Sequence, residues 1–123
     1  MAIIENTVIY TDDDVALEAF FAFDDNLSER RPAVMISHAW GGRDNFVAEK
    51  ARKLAALGYV GFALDVYGKG VLGSSKEENA KLMQPFITDR SKLQQRLKVA
   101  RDTVKKLPWV DDQKIAAMGV CFG

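Results

Sequence analysis

The sequence is short of the residues that build metal centres, disulfide frameworks and polyanion-binding surfaces. It has one cysteine, Cys121, and one histidine, His38. A single cysteine cannot form an internal disulfide, and the pair is poor material for a metal site, so neither a metal nor another cofactor is expected. Neither sign of charge is in excess: Lys+Arg and Asp+Glu each number 17. That argues against a nucleic-acid partner, which needs a basic surface. No apolar run approaches the roughly 18 residues that span a bilayer, so no membrane partner is expected either. The opening residues, Met1-Ala2-Ile3-Ile4-Glu5, lack a basic region followed by an apolar stretch. No signal peptide is expected, and a reducing cytoplasm is the default compartment. Prolines are few (Pro32, Pro85 and Pro108), and no repeat, low-complexity tract or linker divides residues 1–123, which read as one domain.

What is present is an alternation of short apolar runs and amphipathic stretches. Thr7–Tyr10 and Val15–Phe23 read as two strands joined by the turn formers Asp12-Asp13-Asp14. In the second, Val15, Leu17, Ala19, Phe21 and Phe23 share one face, while Phe20 lies on the other, so cover on both sides is expected. Asp24 to Arg31 reads as a loop ended by Pro32. Ala33–Ser37 is continuously apolar up to its last residue, as suits a buried parallel strand. A helix is predicted from Asn45, with Asp44 or Asn45 as its cap and Gly58 just past its end. Tyr59–Leu64 is the next strand, closed by Asp65 and a glycine-rich loop through Gly73. Ser75-x-x-Glu78 predicts a capping box for a short helix reaching about Gln84 and broken by Pro85. Leu93, Leu97, Ala100, Val104 and Leu107 form the apolar stripe of a helix over about 89–107, whose Lys/Arg-rich remainder reads as a solvated face. Pro108 stops it, Asp111-Asp112 read as a turn, and Lys114–Val120 as the last strand. The order β-β, then β-α-β-α-β, predicts an α/β fold: a mostly parallel sheet with an antiparallel N-terminal hairpin and helices on both faces.

The chemistry-bearing stretch is Gly119-Val120-Cys121-Phe122-Gly123, a G-x-C-x-G sequence directly after an apolar strand. This is the pattern of a nucleophile elbow, in which a strained strand-to-helix turn presents the nucleophile and small neighbours avoid clashes. Taken alone, a single cysteine in an apolar stretch is more often a packing residue. A second stretch, His38-Ala39-Trp40-Gly41-Gly42, follows the third strand and precedes the first long helix. That is where an oxyanion loop stands, one backbone N–H coming from it and one from the residue after the nucleophile. Trp40 and Phe122 are therefore the candidate donors, with His38, Gly41 and Gly42 as loop support. On the plainer reading, Gly41-Gly42 turn the chain and Trp40 fills core. His38 lies far upstream of Cys121, which fits an orienting or structural histidine better than a catalytic base. Asp65 ends a strand on the ligand-binding edge of such sheets, but capping the Tyr67–Gly70 turn is the simpler role. Glycines 68, 70 and 73 match no phosphate-loop pattern.

Four stretches together resemble the dienelactone hydrolase family of α/β-hydrolases. They are His38–Gly42, Leu64-Asp65-Val66-Tyr67-Gly68-Lys69-Gly70, Pro108-Trp109-Val110-Asp111, and Lys114–Gly123 with its cysteine elbow. The resemblance implies the N-terminal half of an α/β-hydrolase fold and a small ester or lactone as substrate. It implies attack by the Cys121 thiolate to give a thioester acyl-enzyme, then hydrolysis by water. Family members commonly carry a glutamate in the oxyanion loop where this sequence has Ala39. The family's acid and histidine lie after the elbow, so residues 1–123 by themselves are expected to be inactive and to associate through an exposed edge strand. A truncated, non-catalytic fragment and a redox-active thiol protein are the competing readings.

Overall fold

Residues 2–26 and 29–119 are described by a computed structural model, and they form five strands and three helices. Strands β1 (Ile3–Asp12) and β2 (Val15–Asp24) make an antiparallel hairpin with Asp12 opposite Val15. Asp13 turns it in the left-handed region, φ 52°, which aspartate tolerates better than most residues. Strand β3 (Arg31–Ser37) leads to helix α1 (Asn45–Ala56), and β4 (Val60–Ala63) follows. Helices α2 (Lys76–Thr88) and α3 (Arg90–Lys105) come next, then β5 (Val110–Gly119). The sheet order is β1-β2-β4-β3-β5, with β3 parallel to both β4 and β5.

Both faces of the sheet are covered, as the two-sided pattern of β2 predicts. Leu17, Ala19, Phe21 and Phe23 pack with Phe62 of β4, Ala100 and Val104 of α3 and Phe86 of α2. Phe20 enters the second core with Ile36, Ala63 and Val47, Ala48 and Ala51 of α1. Contact between α1 and β4 is so close that a Cβ on Gly61 would lie 2.3 Å from the Ala51 carbonyl oxygen.

The helix starts follow the sequence. The Asp44 carboxylate accepts from the N–H groups of Phe46 and Val47, Ser75 Oγ from Glu78 N–H, and Asp89 from Lys92 N–H. Gly58 takes φ 96° just past α1. Three expectations fail. Pro85 does not break α2, which runs on to Thr88. Proline removes one N–H, and the turn around it is completed by Thr88 Oγ1 donating to Gln84 O and Asp89 N–H donating to Pro85 O, with Phe86 anchored in the core. Asp111 and Asp112 lie within β5, which begins at Val110 opposite Arg31 and passes an irregularity before Ile115 pairs with Ala33. Trp109, stacked on Phe23 at 4.7 Å, with its carbonyl accepting from Arg31 N–H, fixes that early start. The basic face of α3 is not wholly solvated either: Arg96 is buried and ion-paired with Asp12 at 3.3 Å. No helix among the described residues is long and apolar enough to cross a membrane.

Candidate active site

The parallel pairing of β3 with β5 sets Ser37 opposite Gly119. Neighbouring strands lie about 4.8 Å apart. The loop that begins at His38 therefore starts beside the end of β5, at the same end of the sheet. Cys121 and Phe122 lie outside the described residues, and the β3 side of the site lies within them.

Residues 38–42 form a tight turn in which the carbonyls of Ala39, Trp40 and Gly41 all accept hydrogen bonds. Gly42 N–H donates to Ala39 O at 3.1 Å, closing a four-residue turn with Trp40 and Gly41 at its centre. Gly42 then takes φ 103°, and a Cβ there would lie 2.8 Å from Val71 O, so glycine is required twice over. His38 is fully buried. Its Nδ1 lies 2.7 Å from Ala39 O and its Nε2 3.1 Å from Val66 N. A carbonyl can only accept and a backbone N–H can only donate, so the ring is the neutral tautomer with its proton on Nδ1. Burial pushes the His38 pKa down from its ordinary value, the bond to Ala39 O opposing the shift. With one nitrogen donating and the other accepting, this ring holds the turn in place.

The glycine-rich segment after β4 grips the same turn. Tyr67 Oη donates to Trp40 O at 2.9 Å, and Gly73 N–H donates to Gly41 O at 3.0 Å. The tyrosine ring packs against His38 at 4.9 Å and Phe86 at 5.8 Å. Burial raises its pKa to about 12, so the hydroxyl keeps its proton across the ordinary pH range. Asp65 holds this segment. One carboxylate oxygen accepts from the N–H groups of Tyr67 and Gly68, both at 3.1 Å, and the other from Glu18 N–H at 3.0 Å. Asp65 is therefore the cap of the 65–68 turn. Tyr10 Oη adds a bond to the Asp65 backbone on each side, donating to its carbonyl and accepting from its N–H.

Two groups in the turn are left for other use. Among the described residues the N–H groups of Trp40 and Gly41 donate no hydrogen bond. Trp40 itself is half-buried and belongs to neither core cluster. A cavity of about 70 Å³ beside the turn, lined by Arg43, Asp65, Gly68, Gly70, Val71 and Leu72, is too small for a substrate. No three of the histidine, cysteine, aspartate and glutamate side chains among the described residues gather in a way that would hold a metal ion. The structure thus brings His38, Trp40, Gly41 and Gly42 together. It adds Tyr67 and Val66, which the sequence pattern places in a loop. The Asp65-x-Tyr67-Gly68 turn signal was readable, whereas the reach of the Tyr67 hydroxyl to Trp40 was not.

A mixed sheet, antiparallel through β1-β2-β4 and parallel through β4-β3-β5, with helices on both faces, a β3–α1 turn at the strand ends and a β5 leading to a G-x-C-x-G sequence, is the architecture of an α/β-hydrolase. The chain belongs to the dienelactone hydrolase family, which matches residues 17–123. It is 30% identical to the protein YcjY of Escherichia coli (strain K12) over 124 residues, covering 96% of this chain and 38% of that one. Among solved structures, it superposes with a TM-score of 0.94 on a dienelactone hydrolase-like promiscuous phosphotriesterase from metagenomic libraries. That protein is 31% identical, and the match covers all of this chain and 51% of that one. A structure called m3DLH gives a TM-score of 0.96 at 30% identity, with 100% and 51% covered. The chain thus spans about half the length of these structures, and less of YcjY.

Proposed function

We propose that this chain carries the nucleophile and the oxyanion-binding turn of a cysteine hydrolase for small esters or lactones. Cys121 attacks the acyl carbon, and its carbonyl oxygen becomes an oxyanion held by the N–H groups of Trp40 and Phe122. Collapse expels the alcohol and leaves a thioester, which water then hydrolyses. The observation that carries this reading is the pairing of Ser37 with Gly119, which starts the turn and the elbow sequence from adjacent strands. The carbonyls of Ala39, Trp40 and Gly41 are tied down while the Trp40 N–H has no acceptor among the described residues, the arrangement a preorganised donor needs. His38 acts by orienting: bonding Ala39 O fixes the Ala39–Trp40 peptide, whose N–H points the opposite way. Both its nitrogens are engaged, so the proton of Cys121 goes to another group.

The test is turnover of p-nitrophenyl acetate and of a butenolide by the full-length protein. Cys121→Ala should abolish it, and wild-type turnover in that variant would remove the nucleophile assignment. Cys121→Ser should also be poor, because a site tuned for a thiolate need not deprotonate a hydroxyl. An activated aryl phosphotriester belongs in the same assay. The 31% identical relative is described as a promiscuous phosphotriesterase, and an anionic oxygen on phosphorus can use the same donors.

A further inference from the structure

We infer that Tyr67 is a positioning residue for catalysis. It holds the Trp40–Gly41 peptide so that the Gly41 N–H stands beside the Trp40 N–H as another donor to the oxyanion. The inference rests on the hydrolase reading above. A trans peptide carries its C=O and N–H on opposite sides, and no cis peptide occurs among the described residues. Fixing a carbonyl therefore aims the next residue's N–H. Ala39 O is fixed by His38 and by Gly42 N–H, which aims the Trp40 N–H. Trp40 O is fixed by the Tyr67 hydroxyl at 2.9 Å, which aims the Gly41 N–H. Neither Trp40 nor Gly41 has the positive φ that marks Gly42. With negative φ at both central positions, the turn has the sense of type I, in which consecutive N–H groups point the same way, as at the start of a helix. Gly41 O, the third carbonyl, is fixed by Gly73.

Tyr67 is built to hold this position. Its own N–H is bound by Asp65, its ring is wedged between His38 and Phe86, and burial keeps its hydroxyl protonated. The glycine-rich segment 68–73, which matches no phosphate-binding pattern, thereby gains a role: it returns the chain from Tyr67 to Gly73 along the turn it clamps.

The experiment compares Tyr67→Phe with wild type in the full-length protein, reading kcat, KM, the rate of Cys121 alkylation by iodoacetamide and the melting temperature. The variant keeps the ring and loses only the hydroxyl. An interaction made in the transition state alone lowers kcat without raising KM. The expected result is a kcat lower by about tenfold, less than the roughly hundredfold or more for deleting a donor, with KM and alkylation rate unchanged and melting lowered by no more than the loss of one partly buried hydrogen bond. Alkylation forms no oxyanion, so it reports on the thiol independently of the turn. Unchanged kcat in the folded variant overturns the inference. So does a kcat loss matched by equally slower alkylation, which would make the hydroxyl a general prop of the site. Should Tyr67→Phe fail to fold, 3,5-difluorotyrosine at position 67 keeps ring and hydroxyl but ionises at lower pH. Since a phenolate cannot donate, kcat should then fall at a lower pH than in wild type, and an unmoved alkaline limb overturns the inference. Failure of the hydrolase reading itself is distinct: it appears as turnover that survives Cys121→Ala.

Discussion

At the scale of single residues, the site is a set of peptide groups held by side chains from elsewhere. Trp40 contributes its backbone, so Trp40→Phe should be mild. Trp40→Pro deletes the donor at the first central position of a turn, where proline is otherwise well accepted. A fall of roughly a hundredfold or more in kcat is expected, as for other oxyanion donors; a folded proline variant with wild-type kinetics would dismiss the turn's role. Asp65 should govern stability. Asp65→Ala leaves the N–H groups of Glu18, Tyr67 and Gly68 without their acceptor. At about 1–3 kcal/mol per orphaned buried group, the loss should be at least about 3 kcal/mol by urea titration. His38 sets a pH dependence. Its folded pKa is depressed, so the unfolded chain binds the proton more readily. Its contribution is complete above the unfolded value of about 6.5 and is lost as pH falls below it, by at most about 1.4 kcal/mol per pH unit. Comparing urea midpoints at pH 7.5 and 5.5 checks this, and His38→Asn should flatten the slope.

At the scale of elements, close packing and backbone chemistry make different demands at similar residues. A Cβ on Gly61 would meet the backbone of Ala51 at 2.3 Å, and neither β4 nor α1 can give way cheaply. A Cβ on Gly73 would meet the side-chain amide of Asn79 at 1.8 Å, which can swing aside. Gly61→Ala should therefore cost about 3 kcal/mol or more, and Gly73→Ala distinctly less. Pro85 is exposed inside α2. Alanine there restores a helix bond, partly offset by a looser unfolded chain, and should stabilise the protein by about 1–2 kcal/mol. Parallel thermal melts of the three variants order these effects.

At the scale of the whole molecule, β5 lies at the end of the sheet and pairs only with β3 among the described residues. Most of its length is exposed, Met118 included, and an apolar groove of about 280 Å³ runs beside it past Pro32, Tyr59, Ile115 and Ala116. Unpaired apolar edges invite another strand. Residues 1–123 expressed by themselves should self-associate through 114–119, and Ala117→Pro should reduce this. Sedimentation reads the outcome, and a monodisperse wild-type monomer would contradict it.

The sequence by itself determined the strand and helix order, the helix caps, the two-sided burial of β2 and the positions of the turn and the cysteine motif. Each of these rests on periodicity or on residues a few positions apart, so local chemistry is enough to specify it. The tertiary structure decided what the sheet order β1-β2-β4-β3-β5 brings together. His38 meets Val66 from 28 residues away, Tyr67 meets Trp40 from 27, and Tyr10 meets Asp65 from 55. Arg96 is buried because Asp12 of the hairpin lies across from it, and α2 passes through Pro85 because Phe86 is held in the core. Periodicity says which face of an element is apolar. It does not say which element will lie against that face, and in this protein that neighbour aims the peptide groups of the turn.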